Sequence, residues 1–159
     1  MDKISYPPLF DPGFTDMDEV GLKHACVDFF PESSRRNMLY CNFIQVLQSI
    51  REFTEQHGCF SEIWIDGSYT THKPEPDDID ILLVCDWRNI NSVPIMLRNE
   101  LDKLLDRNYI KHNYKIDVLP LMKNVDDPAY DYDYWRSYWR GWFGFDRKEN
   151  PKGLVRIFL

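Results

Sequence analysis

No stretch of this 159-residue chain approaches the roughly 20 consecutive apolar residues that cross a bilayer, so a membrane-spanning helix is not expected. No basic segment followed by an apolar one opens Met1 to Asp11, and no secretory leader is expected there. The chain is short of positive charge: 19 Lys and Arg face 26 Asp and Glu, a net charge of -7. A duplex-DNA coat is thereby excluded, because displacing counterions needs a cationic surface. Cysteine is limited to Cys26, Cys41, Cys59 and Cys85, with no close-paired framework. Reduced thiols in a cytoplasmic protein follow. His24-x-Cys26 and His57-x-Cys59 do not have the spacing of a zinc knuckle. Glycine numbers only 7, and neither repeats nor low-complexity linkers occur, which rules out collagen-like, coiled-coil and disordered chains.

What is present is a single-domain composition, 43% hydrophobic and rich in aromatics at 15%. Residues 1–32 carry Pro7, Pro8, Pro12 and Pro31 and read as an extended arm with one short helix near Asp16 to His24. Ser33 or Ser34 caps a helix whose Leu39, Phe43, Val46, Leu47, Ile50 and Phe53 recur at helical spacing until Gly58. Ile63 to Ile65 is a short strand, residues 69–77 a polar loop, and Ile79 to Val84 an apolar central strand. Asn91 or Ser92 caps a helix with Pro94 in its first turn and Leu97, Leu101, Leu104 and Leu105 buried. Tyr114 to Leu119 is a third strand, stopped by Pro120. Asp131 to Phe143 is an aromatic helix read mainly as core packing, with a base-stacking platform as the alternative. Gly153 to Leu159 is a last strand. The order of elements predicts an α/β (α+β) fold, a small mixed sheet with helices mainly on one face. The core is expected at 33–120, and 121–159 supplies the aromatic helix and final strand.

Chemistry concentrates in residues 62–84. Asp78 and Asp80 lie two apart at a strand start, so their side chains leave one face with backbones roughly 6–7 Å apart. A carboxylate pair beside an apolar strand is costly without a cation between the groups, and Mg²⁺ (or Mn²⁺) suits hard oxygen ligands. Asp117, in Lys-Ile-Asp-Val-Leu, joins them if its strand is a neighbour. Three carboxylates on one face can hold two ions for in-line phosphoryl displacement. Gly67 permits a close backbone approach to phosphate, and Ser68 donates to it. Thr70, Thr71 and Lys73 add donors and a charge. Asp66 and Asp77 are read as loop-capping. Arg140, Arg147, Lys148, Lys152 and Arg156 form a modest basic cluster, read either as scattered surface charge or as a contact for RNA or triphosphate.

Gly67-Ser68, a nine-residue spacer, Asp78-Ile79-Asp80 in an apolar strand and a lone Asp117 on a later strand together resemble the DNA polymerase β-type nucleotidyltransferase superfamily. More narrowly, Asp66-Gly-Ser-Tyr-Thr-Thr-His-Lys-Pro with Pro76-Asp-Asp-Ile-Asp is similar to a small bacterial family within it. The resemblance implies a nucleotidyltransferase-like fold. It also implies transfer of a nucleoside monophosphate from an NTP to an RNA (tRNA included) or protein acceptor. Asp78, Asp80 and Asp117 would bind metal, Asp117 would also activate the acceptor, and Gly67 and Ser68 would hold the triphosphate. A toxin–antitoxin or phage-defence role follows from the resemblance alone. The antitoxin-type members carry arginines soon after Gly-Ser, where this loop has His72 and Lys73. Larger members append a helical domain after the third carboxylate, so a partner protein or large acceptor is the expected complement. The rival readings are a catalytically inactive binding module that docks a partner or senses a nucleotide, and a phosphohydrolase, which lacks the expected His-rich site.

Overall fold

The computed structural model describes residues 4–159, so residues 1–3 of the expected arm lie outside the described residues. The arm is more structured than its prolines suggest. It forms strand β1 (Gly13–Asp16) and helix α1 (Glu19–Lys23), continued by a wider π-helical turn at His24–Asp28. Helix α2 (Ser34–His57) begins where the Ser33 hydroxyl accepts from the Arg36 amide at 3.2 Å. It ends at Gly58, whose φ of 65° is the left-handed cap that glycine adopts without strain.

The remaining elements are β2 (Phe60–Asp66), β3 (Ile79–Asp86), α3 (Trp87–Asn91), α4 (Ile95–Leu105), α5 (Arg107–Tyr114), β4 (Ile116–Lys123), α6 (Tyr132–Phe143) and β5 (Gly153–Phe158). Three differences from the sequence reading have local causes. Asp86, not Asn91 or Ser92, caps the helix after β3, and Pro94 then precedes the start of α4. Helix α5 was not anticipated; Asp106 caps it through the Tyr109 amide, and Lys115 at φ 58° ends it. Pro120 does not stop β4, because β4 is a sheet edge and the missing N–H costs no ladder bond on its open side.

The five strands form one mixed sheet in the order β1-β5-β2-β3-β4. β1/β5 and β3/β4 are parallel; β5/β2 and β2/β3 are antiparallel. Strand alternation divides the core in two. Ile63, Ile65, Ile79, Ile81, Leu83, Ile116, Val118, Val155 and Ile157 pack beneath Leu39, Phe43, Leu47 and Ile50 of α2, Leu101 and Leu104 of α4 and Ile110 of α5. The opposite face carries a smaller cluster, Trp64, Leu82, Val84, Leu121 and Leu154, covered by Phe143 of α6. The fold is therefore α+β, with helices mainly on one face. No helix among the described residues is long and apolar enough to cross a membrane.

Candidate metal centre

The thinly covered face ends in a row of acids. Register pairs Asp66 of β2 with Asp80 of β3, and Asp80 with Asp117 of β4. Alternation puts all three on the face that carries Trp64 and Leu82. Asp78 precedes β3 and stands beside the row. Asp78, Asp80 and Asp117 each offer a carboxylate oxygen within 4.8 Å of the others, the one such group of three among the described residues. The cysteines and histidines of the two His-x-Cys pairs form no comparable group there. The intervening Ile79 and Ile81, and Ile116 and Val118 around Asp117, are fully or nearly fully buried in the main core and fix the register of the acids.

The ends of the row are neutralised and its centre is not. Arg107 Nε and Nη2 donate to both oxygens of Asp117, and Lys111 Nζ donates to Asp117 at 3.0 Å and pairs with Asp78 at 3.4 Å. These two cations lie four residues apart on α5, one helical turn, so both face the row. The Arg107 guanidinium holds the Asp117 carboxyl below its usual range. At the other end Lys152 Nζ lies 2.7 Å from Asp66 Oδ1; burial pushes the Asp66 carboxyl up, with Lys152 opposing it. Asp80, between them, has no hydrogen bond and no ion pair among the described residues. Burial, and then the neighbouring Asp78, Asp66 and Asp117, push its carboxyl up to about 6.

Gly67 is built into this arrangement. Its φ is +77°, and a Cβ there would stand 2.8 Å from Asp80 Cγ and nearer still to Oδ2. The glycine therefore makes room for a carboxylate rather than primarily for a phosphate. The Ser68 hydroxyl, on the turn Gly67–Thr70, has no hydrogen-bond partner among the described residues, leaving it free to meet a ligand.

The other loop residues are occupied. Thr70 Oγ1 donates to the Gly67 carbonyl and Thr71 Oγ1 to the Ser68 carbonyl, which makes both part of the turn. Lys73 Nζ is paired with Asp77 at 3.0 Å and does not join the acid row. The loop is clasped from below by Arg36, which is fully buried. Its guanidinium donates five hydrogen bonds to the carbonyls of Cys26, Tyr69, Thr71 and Lys73 and lies 3.8 Å from the Phe30 ring centroid.

Sequence reasoning missed Arg36, Arg107, Lys111 and the membership of Asp66 in the row. The loop-capping reading of Asp66 does not describe its main role: its side chain does not cap the turn, and its register partner across the sheet is Asp80. The Arg107-x-x-x-Lys111 spacing carried the signal for α5, but only once those residues are known to be helical. Arg36 gave no signal, because an arginine at an apolar helix position reads as a surface charge.

Comparison with curated proteins and with solved structures gives no match. A family model described as "Family of unknown function (DUF6932)" matches residues 6–158, nearly the whole chain, and the protein belongs to that family.

Proposed function

We propose that the protein is a cytoplasmic, metal-dependent nucleotidyltransferase that moves a nucleoside monophosphate from an NTP onto an acceptor. The observation that carries this reading is the Asp80 carboxylate, mostly buried among three other acids and without a donor of its own. A buried anion without a counter-charge is unfavourable, and a hard divalent cation is the ligand that removes the cost. The donor set fits: carboxylate oxygens only, at spacings an ion can bridge. Asp78, Asp80 and Asp117 would hold Mg²⁺ or Mn²⁺, which when bound polarises the reacting phosphoryl group and its attacking hydroxyl.

The chain's own residues divide the remaining work. Asp117, held ionised by Arg107 and Lys111, anchors and orients; its lowered proton affinity makes it a poor proton acceptor. Arg107 and Lys111 supply the positive charge that the Gly67-Ser68 loop lacks, and both can turn to phosphate oxygens. Ser68 Oγ is the free donor for the triphosphate, while Thr70 and Thr71 keep the turn in shape. The same cations favour the rival reading, an inactive module, since they already neutralise Asp117 and Asp78.

Calorimetry decides between them: NTP titrated into wild type and Asp78→Ala/Asp80→Ala, with and without Mn²⁺. Binding that needs both metal and carboxylates is expected. NTP binding that ignores the metal and survives the double substitution refutes the catalytic reading.

A further inference from the structure

Lys111 stands where a cation belongs. Its Nζ lies 3.0 Å from Asp117 Oδ2 and 3.4 Å from Asp78 Oδ2, and these are two of the three carboxylates of the candidate centre. The ammonium bridges the acids as an ion would, and it uses lone pairs that an ion would need. Arg107 donates to both oxygens of Asp117, and Asp117 Oδ2 accepts from Arg107 Nη2 at 2.9 Å as well as from Lys111. A carboxylate oxygen has about two lone-pair sites. Asp117 Oδ2, the oxygen that shares Lys111 with Asp78, is therefore filled until one donor withdraws.

The two cations are not equally easy to dislodge. Arg107 grips Asp117 through a planar fork that matches both carboxylate oxygens. Lys111 is a point charge on a flexible stem, with one hydrogen bond to Asp117 and a longer contact to Asp78. Its side chain is 48% exposed, whereas that of Asp117 is 9% exposed. The sheet fixes Asp117 beside Asp80, and Ile110, buried in the main core, anchors α5 while the Lys111 side chain is free to swing. Charge gives the movement a consequence. Asp78, Asp80 and Asp117 face Arg107 and Lys111, while Lys152 is committed to Asp66. One net negative charge remains on the triad. A bare divalent ion overcompensates it and leaves an ammonium without its acids. An anion arriving with the ion corrects both faults. A polyphosphate complexed to a divalent ion brings metal and counter-charge together and offers the displaced ammonium new oxygens.

We propose that Lys111 is a displaceable stand-in for the metal, which makes the centre selective for a divalent ion delivered with a polyphosphate over the bare ion. This rests on the metal-centre reading above and adds that Lys111 has two positions, one on the acids and one on phosphate.

The test measures Mn²⁺ affinity, by electron paramagnetic resonance of the free ion, for wild type, Lys111→Met and Lys111→Arg. Circular dichroism checks the fold of each variant, and Asp78→Ala/Asp80→Ala gives the background. Lys111→Met should bind bare Mn²⁺ about 5- to 150-fold more tightly than wild type, the usual range for two coupled occupants. Lys111→Arg keeps the charge and gains a fork, so it should bind the ion no more tightly than wild type. Amine acetylation, read at Lys111 of the wild-type protein by mass spectrometry, follows the side chain itself. Saturating Mn²⁺ should speed it, and Mn²⁺ supplied with tripolyphosphate should slow it again.

Equal Mn²⁺ affinity in wild type and Lys111→Met, or acetylation that Mn²⁺ leaves unchanged, overturns the proposal and leaves the metal centre standing. Release of Lys111 by Mn²⁺ without protection by tripolyphosphate overturns the selectivity. No Mn²⁺ binding above the double-alanine background, in wild type or in Lys111→Met, removes the proposal and the metal centre together. The expected results beside a failure to bind any NTP remove the transferase reading and leave a site for a metal–polyphosphate complex.

Discussion

Replacing Gly67 by alanine tests whether the turn exists to seat Asp80. Two costs are expected. The first is conformational: a Cβ at φ +77° is strained by about 1–2 kcal/mol. The second is steric, because the new methyl falls on the Asp80 carboxylate, 2.8 Å from Cγ. Overpacking of this kind costs about 1–3 kcal/mol more. A double-mutant cycle separates them. In an Asp80→Ala background the carboxylate is gone and the residual approach, 3.2 Å from Asp80 Cβ, is tight but bearable. There Gly67→Ala should cost only the conformational part, a fall in Tm of about 2–8 °C for a chain of this size. In the wild-type background the fall should be larger, leaving a coupling of about 1–3 kcal/mol. Thermal unfolding in EDTA, followed by circular dichroism, measures all four corners. If the two substitutions add to within about 0.5 kcal/mol, the close approach is not what the glycine serves.

Asp80→Asn should stabilise the metal-free protein, with a pH signature. The folded state binds the Asp80 proton more tightly than the unfolded chain does between 3.8 and about 6, so stability falls as pH rises through that window. The asparagine variant escapes this; its Tm should exceed wild type at about pH 8 and converge with it near pH 4, and a parallel pair of curves would show that Asp80 titrates normally. Arg36→Met should cost at least about 3 kcal/mol by urea denaturation, since three loop carbonyls and that of Cys26 lose a charged donor. Arg36→Lys should recover little, because an ammonium cannot span that set as the planar guanidinium does; full recovery would mean that charge, not shape, holds the loop.

The sequence pattern was most legible where periodicity and chemistry coincided. Ile79, Ile81, Ile116 and Val118 alternate with acids, and that alternation alone brings Asp78, Asp80 and Asp117 together once β3 and β4 are neighbours. Helix α2 announced itself by a serine cap, a six-residue apolar stripe and a glycine stop. Legibility failed where a residue's meaning depends on tertiary position. Asp66 ends a strand and looks like any turn aspartate until antiparallel pairing sets it opposite Asp80. The aromatic helix had the right period for a core helix, yet its neighbours cover only one side, so Phe143 is buried and Trp142 is not. Pro120 carried the ordinary meaning of a strand breaker, which an edge position cancels.

The distribution of charge along the acid row argues against a purely structural cluster. Four carboxylates side by side on a sheet face repel one another, and burial at Asp66 and Asp80 adds to the cost. A cluster serving stability alone would place its cations where that cost is greatest. Here Lys152 stands at Asp66, Arg107 and Lys111 at Asp117 and Asp78, and Asp80 in the middle has only distant help from Lys111 and Arg107. Gly67 bears on the same point: its missing Cβ leaves the room that the Asp80 carboxylate itself occupies. On the proposed reading, the bare centre would give a divalent ion the place where it relieves the most repulsion.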